Sequence, residues 1–240
     1  MDLFTDRTRR LIGEDACQKL HNAHVAIFGI GGVGSFSAEA IARAGVGKIT
    51  LVDADRVSPT NLNRQLVALR STIGLLKTDV MRDRIADINP DAVVTCHPVF
   101  FDATTFEEFP FSDYDYIIDA IDSVTSKLLL IRVAKENNIP ILCSMGTGNK
   151  LHPDQFKIAD IQKTSVCPLA RVIRRELKKY GIQHLKVLYS EEVPITPAPE
   201  TTEEETVVKK RSSPASISFV PSVAGLMIAG EVIRDLTDLT

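Results

Sequence analysis

Short apolar runs alternate with longer amphipathic stretches along most of the chain. Runs of strand length fall at His24–Phe28, Lys48–Val52, Val93–His97, Tyr114–Asp119 and Ile139–Cys143. Between them, apolar residues spaced three and four apart predict helices over Val33–Ala44, Lys77–Ile88 and Thr125–Glu136. The stretch before His24 reads as helical. Strands separated by helices predict an α/β fold: a Rossmann-like, doubly wound, mainly parallel sheet with an N-terminal helical segment. Such sheets bind ligands beyond the carboxyl ends of their strands.

After Gly148 the pattern changes, which predicts a C-terminal α/β extension. A strand-like "FKIADI" precedes a helix, "PLARVIRRELKKYG", and a further strand, "HLKVLYS". The segment "PITPAPETTEEETVVKKRSSPAS" is rich in Pro, Thr, Glu and Ser and has little to bury, so residues 194–215 are expected to form a mobile loop. A helix over Val220–Leu236 closes the chain. The expected organisation is one domain over residues 1–240, with a nucleotide-binding part at 1–150 and a substrate-facing part at 151–240.

Composition adds exclusions. The 240 residues are 44% hydrophobic and 25% charged with a formal net charge of -3, so a sizeable core is expected and a global polyanion-binding surface is not. Cys17, Cys96, Cys143 and Cys167 form no CxxC pair, which argues against a disulfide framework and leads to no expectation of zinc. The start lacks a signal-type apolar run, and "FVPSVAGLMIAGEVI" carries Pro221 and falls short of the ~20 residues of a bilayer span. The expectation is a cytoplasmic protein without membrane insertion.

The chemistry begins at "VAIFGIGGVGSFSAEAIARAGVGKITLVDAD". Gly29, Gly31, Gly32 and Gly34 follow the first strand, and Asp53 closes the second. Glycines at such a turn let phosphate oxygens approach amide groups at a helix start, and the carboxylate suits a ribose hydroxyl. NAD, FAD and ATP all satisfy that much. The following block, "DADRVSPTNLNRQ", adds Asp55, Asn61, Arg64 and Gln65, and Lys77 heads the next helix. Two cations and amides beyond the glycine turn suit a triphosphate. Hydride transfer needs no clamp for a leaving pyrophosphate, whereas adenylyl transfer does. "YIIDAIDS" then places Asp122 just past a strand, where a metal-bridged phosphate would lie. Read singly, Lys77 also fits a solvated first-turn lysine, Asp122 a helix cap, and Arg10 a water-facing member of a cluster with Arg7 and Arg9.

GxGGxG, DxD, NxxRQ, the following Lys and "DAID" together resemble the ThiF/MoeB/HesA adenylyltransferases, relatives of ubiquitin-activating enzymes. The resemblance implies phosphate contacts from Gly29, Gly31, Gly32, Gly34, Asn61, Arg64 and Lys77, ribose binding by Asp53, and Mg²⁺ on Asp122. It also implies a homodimer in which Arg10 reaches the neighbouring subunit's phosphates. Arg10, Arg64, Lys77 and Asp122 are thus the expected catalytic set, with ATP and Mg²⁺ as cofactors.

The last third, with "KTSVCPLARVIRREL" and "ISFVPSVAGLMIAGEVI", is similar to the family's tRNA branch, the tRNA threonylcarbamoyladenosine dehydratases. The resemblance implies ATP-dependent cyclisation of the threonylcarbamoyl group on tRNA, and it leaves room for a cysteine desulfurase or sulfur-acceptor partner. The rival is activation of the C-terminus of a sulfur-carrier or ubiquitin-like protein. From Pro168 onward, Leu169, Val172, Ile173, Leu177 and Tyr180 share one helix side, while Arg171, Arg174, Arg175 and Lys178 fall on the other. That stripe suits a tRNA backbone or a solvated face equally. Lys209, Lys210 and Arg211 add a flexible basic contact. Cys167, at a helix start that favours a thiolate, is either an acyl acceptor or a packing residue.

Overall fold

The computed structural model describes residues 3–198 and 214–239. Two helices, α1 (Asp6–Ile12) and α2 (Glu14–Asn22), precede β1 (His24–Phe28). The chain continues through α3 (Gly34–Arg43), β2 (Lys48–Val52), α4 (Lys77–Ile88), β3 (Val93–His97), β4 (Tyr116–Asp119), α5 (Val124–Glu136) and β5 (Ile141–Ser144). It closes with β6 (Phe156–Asp160), α6 (Pro168–Lys179), β7 (Lys186–Ser190) and α7 (Phe219–Thr237). The seven strands form one sheet in the order β3-β2-β1-β4-β5-β7-β6, in which only the β6–β7 pair is antiparallel.

The expected Rossmann-like architecture is therefore present, and the C-terminal extension joins the same sheet. β7 pairs parallel with β5, and β6 covers its outer edge. β4 starts two residues later than expected because Tyr114 belongs to the exit of a 3₁₀ turn over Phe111–Asp113. β5 also starts later: Pro140 cannot donate to a ladder, though its carbonyl accepts from Ile117 N–H.

Strand alternation divides the core. Val25 and Ile27 of β1 face α3, α4 and α7, whereas Ala26 and Phe28 face α5, α6 and an aromatic group of Phe101, Phe109 and Phe111. No described helix is long and apolar enough to cross a membrane. The apolar α7 instead buries Val220, Ala224, Ile228, Ala229 and Val232 against the first face. Of the expected mobile loop, residues 199–213, with Lys209, Lys210 and Arg211, lie outside the described residues.

The strand order reverses between β1 and β4. The loops leaving those two strands diverge there and open a crevice.

Candidate active site

A cleft of about 670 Å³ occupies that crevice, lined by Gly29, Gly31, Gly32, Asp53, Asp55, Asn61, Arg64, Gln65, Lys77 and Asp122. Sequence segments far apart thus converge on one concave surface. Gly29 turns the chain out of β1 at φ +90, and a Cβ there would lie 2.7 Å from the Ala120 carbonyl oxygen. Gly34 departs from its expected role. It is absent from the cleft lining, and a Cβ on it would collide with the Gly29 carbonyl. It packs α3 closely on the turn; the glycines that line the cleft are Gly29, Gly31 and Gly32.

Asp53 holds the turn from the neighbouring strand. Its carboxylate accepts from Ile30 N–H at 2.6 Å and Asp55 N–H at 2.8 Å. Burial pushes its proton affinity above the ordinary carboxylate value, and the nearby Lys77 charge opposes this. Each oxygen retains a lone pair for a ribose hydroxyl.

Lys77 is only 4% exposed, which removes the solvated-lysine alternative. Its Nζ lies 2.7 Å from Asp55 and 3.9 Å from Asp53, so the second acidic residue of DxD aims the cation into the cleft. Asn61 uses Oδ1 to accept from Ser58 N–H, closing the turn that carries Arg64. Arg64 donates through Nη1 to the Thr60 carbonyl and to Asn63 Oδ1, both at 2.9 Å. Gln65 has a buried Oε1 with no partner among the described residues, an acceptor left over on the cleft wall.

Asp122 is exposed at the opposite rim, and the cap of α5 is Ser123, whose hydroxyl accepts from Ser126 N–H. Helix capping therefore does not explain Asp122. Beneath it lies a pair that the sequence reading missed. Lys127 and Asp119, both fully buried, meet at 2.8 Å; Asp119 also accepts from Ile121 N–H, and Lys127 donates to the Ser144 carbonyl. This pair ties the ends of β4 and β5 under the loop bearing Asp122. The available signal was a lysine on the inward face of an otherwise apolar helix segment, "SKLLLI". Also missed were Val99 and Phe100, which offer an apolar wall for a base, and the wall of Ser144–Gly148 with Pro214 and Ser216.

Arg10 is away from this cleft. It lies on the exposed side of α1, where it lines a separate surface hollow with Arg7 and Leu11. In α6, Arg171, Arg175 and Lys178 are exposed, but Arg174 folds inward and bonds the Ile161 and Thr164 carbonyls and the Thr164 hydroxyl. Arg174 is a structural brace rather than part of an outward stripe. Tyr180 likewise leaves the packed side, half exposed beneath the Arg132 guanidinium. Cys167 is 3% exposed within the second core cluster, in keeping with packing.

A model of the ThiF family matches residues 5–240. The chain belongs to the ThiF family. This ThiF-family chain is 45% identical over 236 residues to a Bacillus subtilis protein named tRNA threonylcarbamoyladenosine dehydratase, covering 96% of this chain and 93% of that one. It also superimposes on an Escherichia coli tRNA N6-threonylcarbamoyladenosine dehydratase, TcdA, solved with AMP, at a TM-score of 0.87 and 35% identity over 97% of this chain and 93% of that one. The same enzyme solved with ATP gives a TM-score of 0.87 and 34% identity, again covering 97% and 93%.

Proposed function

We infer that the chain catalyses ATP-dependent dehydration of N6-threonylcarbamoyladenosine in tRNA. The observation that carries this is one cleft uniting a glycine turn, a ribose-type Asp53 and the Arg64–Lys77 cations, in a chain that matches dehydratases along nearly its whole length. A carboxylate at neutral pH is a poor electrophile because oxide leaves badly. Attack of its oxygen on the α-phosphorus of ATP gives an acyl adenylate and releases pyrophosphate. An internal nitrogen then attacks the acyl carbon, loses its proton, and expels AMP as the ring closes. The net change is loss of one water. Because the nucleophile belongs to the substrate, proximity replaces a protein nucleophile, and Cys167 has no required part.

The roles follow from position. Gly31 and Gly32 admit the phosphates to the backbone, Asp53 holds the ribose, and Val99 with Phe100 flanks the base. Arg64 and Lys77 meet the charge that grows on the β- and γ-phosphates as the α-phosphorus is attacked. Among the described residues no three His, Cys, Asp or Glu side chains converge as a metal site. One exposed carboxylate, Asp122, nonetheless fits Mg²⁺ arriving with the nucleotide, since that ion needs only one or two carboxylates beside phosphates and water. When bound, it would neutralise phosphate charge. AMP and pyrophosphate should form in equal amounts when tRNA carrying the modified adenosine is added, and not with tRNA lacking it. ATP turnover independent of the modification would contradict the assignment.

A homodimer with Arg10 acting on the neighbouring site accounts for α1, which buries no residue and leaves Leu11 84% exposed. Arg10→Ala and Asp122→Ala proteins, each inactive alone, should regain up to roughly a quarter of the wild-type rate when mixed, because half the dimers are mixed and one site in each carries neither defect. The check is a rate assay after subunit exchange has been demonstrated. No recovery would remove Arg10 from the partner's site.

The exposed cations of α6 suit the tRNA backbone, and Leu169 at the start of that helix lines the cleft mouth. Replacing Arg171, Arg175 and Lys178 together by Gln keeps helix propensity and spares the brace Arg174. Affinity for tRNA should fall, and the slope of log affinity against log salt should flatten by about 1 per lost phosphate contact. Equal slopes would make this face merely solvated.

A further inference from the structure

The connection from β7 to α7 is gripped at both ends by one residue. Asn149, on the loop after β5, accepts from Ile195 N–H at 2.8 Å, donates to the Ala215 carbonyl at 2.7 Å, and accepts from Ala215 N–H on its side-chain Oδ1 at 2.7 Å. It does so at φ 61, a left-handed conformation that Asn tolerates better than most residues. Its neighbour Gly148 packs so closely that a Cβ would lie 2.6 Å from Pro214. A second tie reaches the same stretch from the turn that carries Arg64: Asn63 donates its side-chain amide to the Ser216 carbonyl at 3.0 Å. The Oδ1 of that Asn63 accepts from Arg64. Pro214 and Ser216 themselves line the nucleotide cleft.

The contacts form a chain from nucleotide to wall. Arg64 is a phosphate ligand in the function inferred above, and Asn63 links it to Ser216, which the Asn149 grip holds beside Ala215. The wall sits at the phosphate end, since Ser216 is bonded to the neighbour of Arg64, whereas Val99 and Phe100 mark the base end. The carboxylate to be activated must approach the α-phosphorus past one of these walls. We propose that Asn149 and Asn63 are positioning residues for the tRNA half of the reaction: they staple Pro214–Ser216 as a cleft wall and couple that wall to the phosphate-binding Arg64. The proposal rests on the dehydratase assignment for its substrate, but the coupling itself can be read without tRNA.

The variants separate side chain from backbone. Asn149→Gly keeps the left-handed conformation and loses the bond to Ala215 N–H, and Asn149→Asp keeps both conformation and acceptor. In Asn149→Gly the KM for tRNA should rise about tenfold, the scale of one hydrogen bond, while Tm stays near wild type and ATP affinity falls by no more than the factor of cleavage protection that is lost. Asn149→Asp should restore the KM. The second readout is tryptic cleavage at Lys209, Lys210 and Arg211, which lie between the gripped ends. ATP should slow this cleavage in the wild type and have no effect in Asn149→Gly. An unchanged KM in Asn149→Gly, a parallel loss of ATP affinity and Tm, or cleavage insensitive to ATP in the wild type would each overturn the proposal. Failure of the wild type to dehydrate tRNA would instead sink the dehydratase assignment, and the cleavage experiment would still decide the coupling.

Discussion

Lys77→Ala is expected to lower turnover at least ~10²-fold, and Arg64→Ala by a comparable factor, the scale for removing one charge-stabilising donor from a preorganised site. Lys77 is nearly free of water competition, and Asp55 at 2.7 Å with Asp53 at 3.9 Å orients its Nζ. The ammonium is therefore in place before charge shifts onto the leaving pyrophosphate. Its loss has a second consequence. Burial already raises the proton affinity of Asp53, and Lys77 is the charge that opposes this. Without the lysine, Asp53 loses the cation beside it and the nucleotide loses a phosphate contact, so the ATP KM should rise as well. Arg64→Ala leaves that cation in place and should act mainly on turnover. Steady-state rates at varied ATP distinguish the two. Wild-type turnover in both variants would remove the triphosphate clamp from the account.

Lys127→Met is expected to cost roughly 3–5 kcal/mol of stability, because it leaves the fully buried Asp119 carboxyl without its partner. For a chain of this size that lowers Tm by on the order of 10 °C. Replacing both partners, Asp119→Leu with Lys127→Met, should recover much of the loss, since a buried pair replaced by apolar residues of similar volume is often neutral. The double variant should still react slowly. Ile121 N–H would lose its acceptor on Asp119, and the loop bearing Asp122 would no longer be fixed. Thermal unfolding of the three proteins, with rates measured below the lowest Tm, tests both halves. A stable Lys127→Met protein, or a double variant with wild-type turnover, would contradict this role.

The nucleotide half was legible because its signals are local. A glycine turn after a strand, an acid at the next strand's end and cations at fixed offsets each constrain a few neighbouring residues, and the sheet brings their ends together. What escaped depended on which way a side chain or Cα faces once the chain is folded. Gly34 carries the same glycine signature as Gly31, yet its neighbour is the Gly29 backbone rather than the cleft. Arg174 shares helical spacing with Arg171 and Lys178, but the carbonyls of Ile161 and Thr164, in the turn just before α6, draw it inward. The Asp119–Lys127 pair mimics an ordinary charged helix start until the burial of both groups is known. The place of β7 beside β5 was also hidden, since strand order depends on how the crossover packs rather than on any single run.

The most direct measurement is nucleoside mass analysis of bulk tRNA from cells lacking the dehydratase activity, incubated with this protein and ATP. The threonylcarbamoyl nucleoside should convert to a species lighter by one water, only with ATP present and not with the Lys77→Ala protein. An unchanged nucleoside alongside ATP-dependent adenylylation of the C-terminus of a sulfur-carrier protein would contradict the account and place the chain in the other branch of its chemistry.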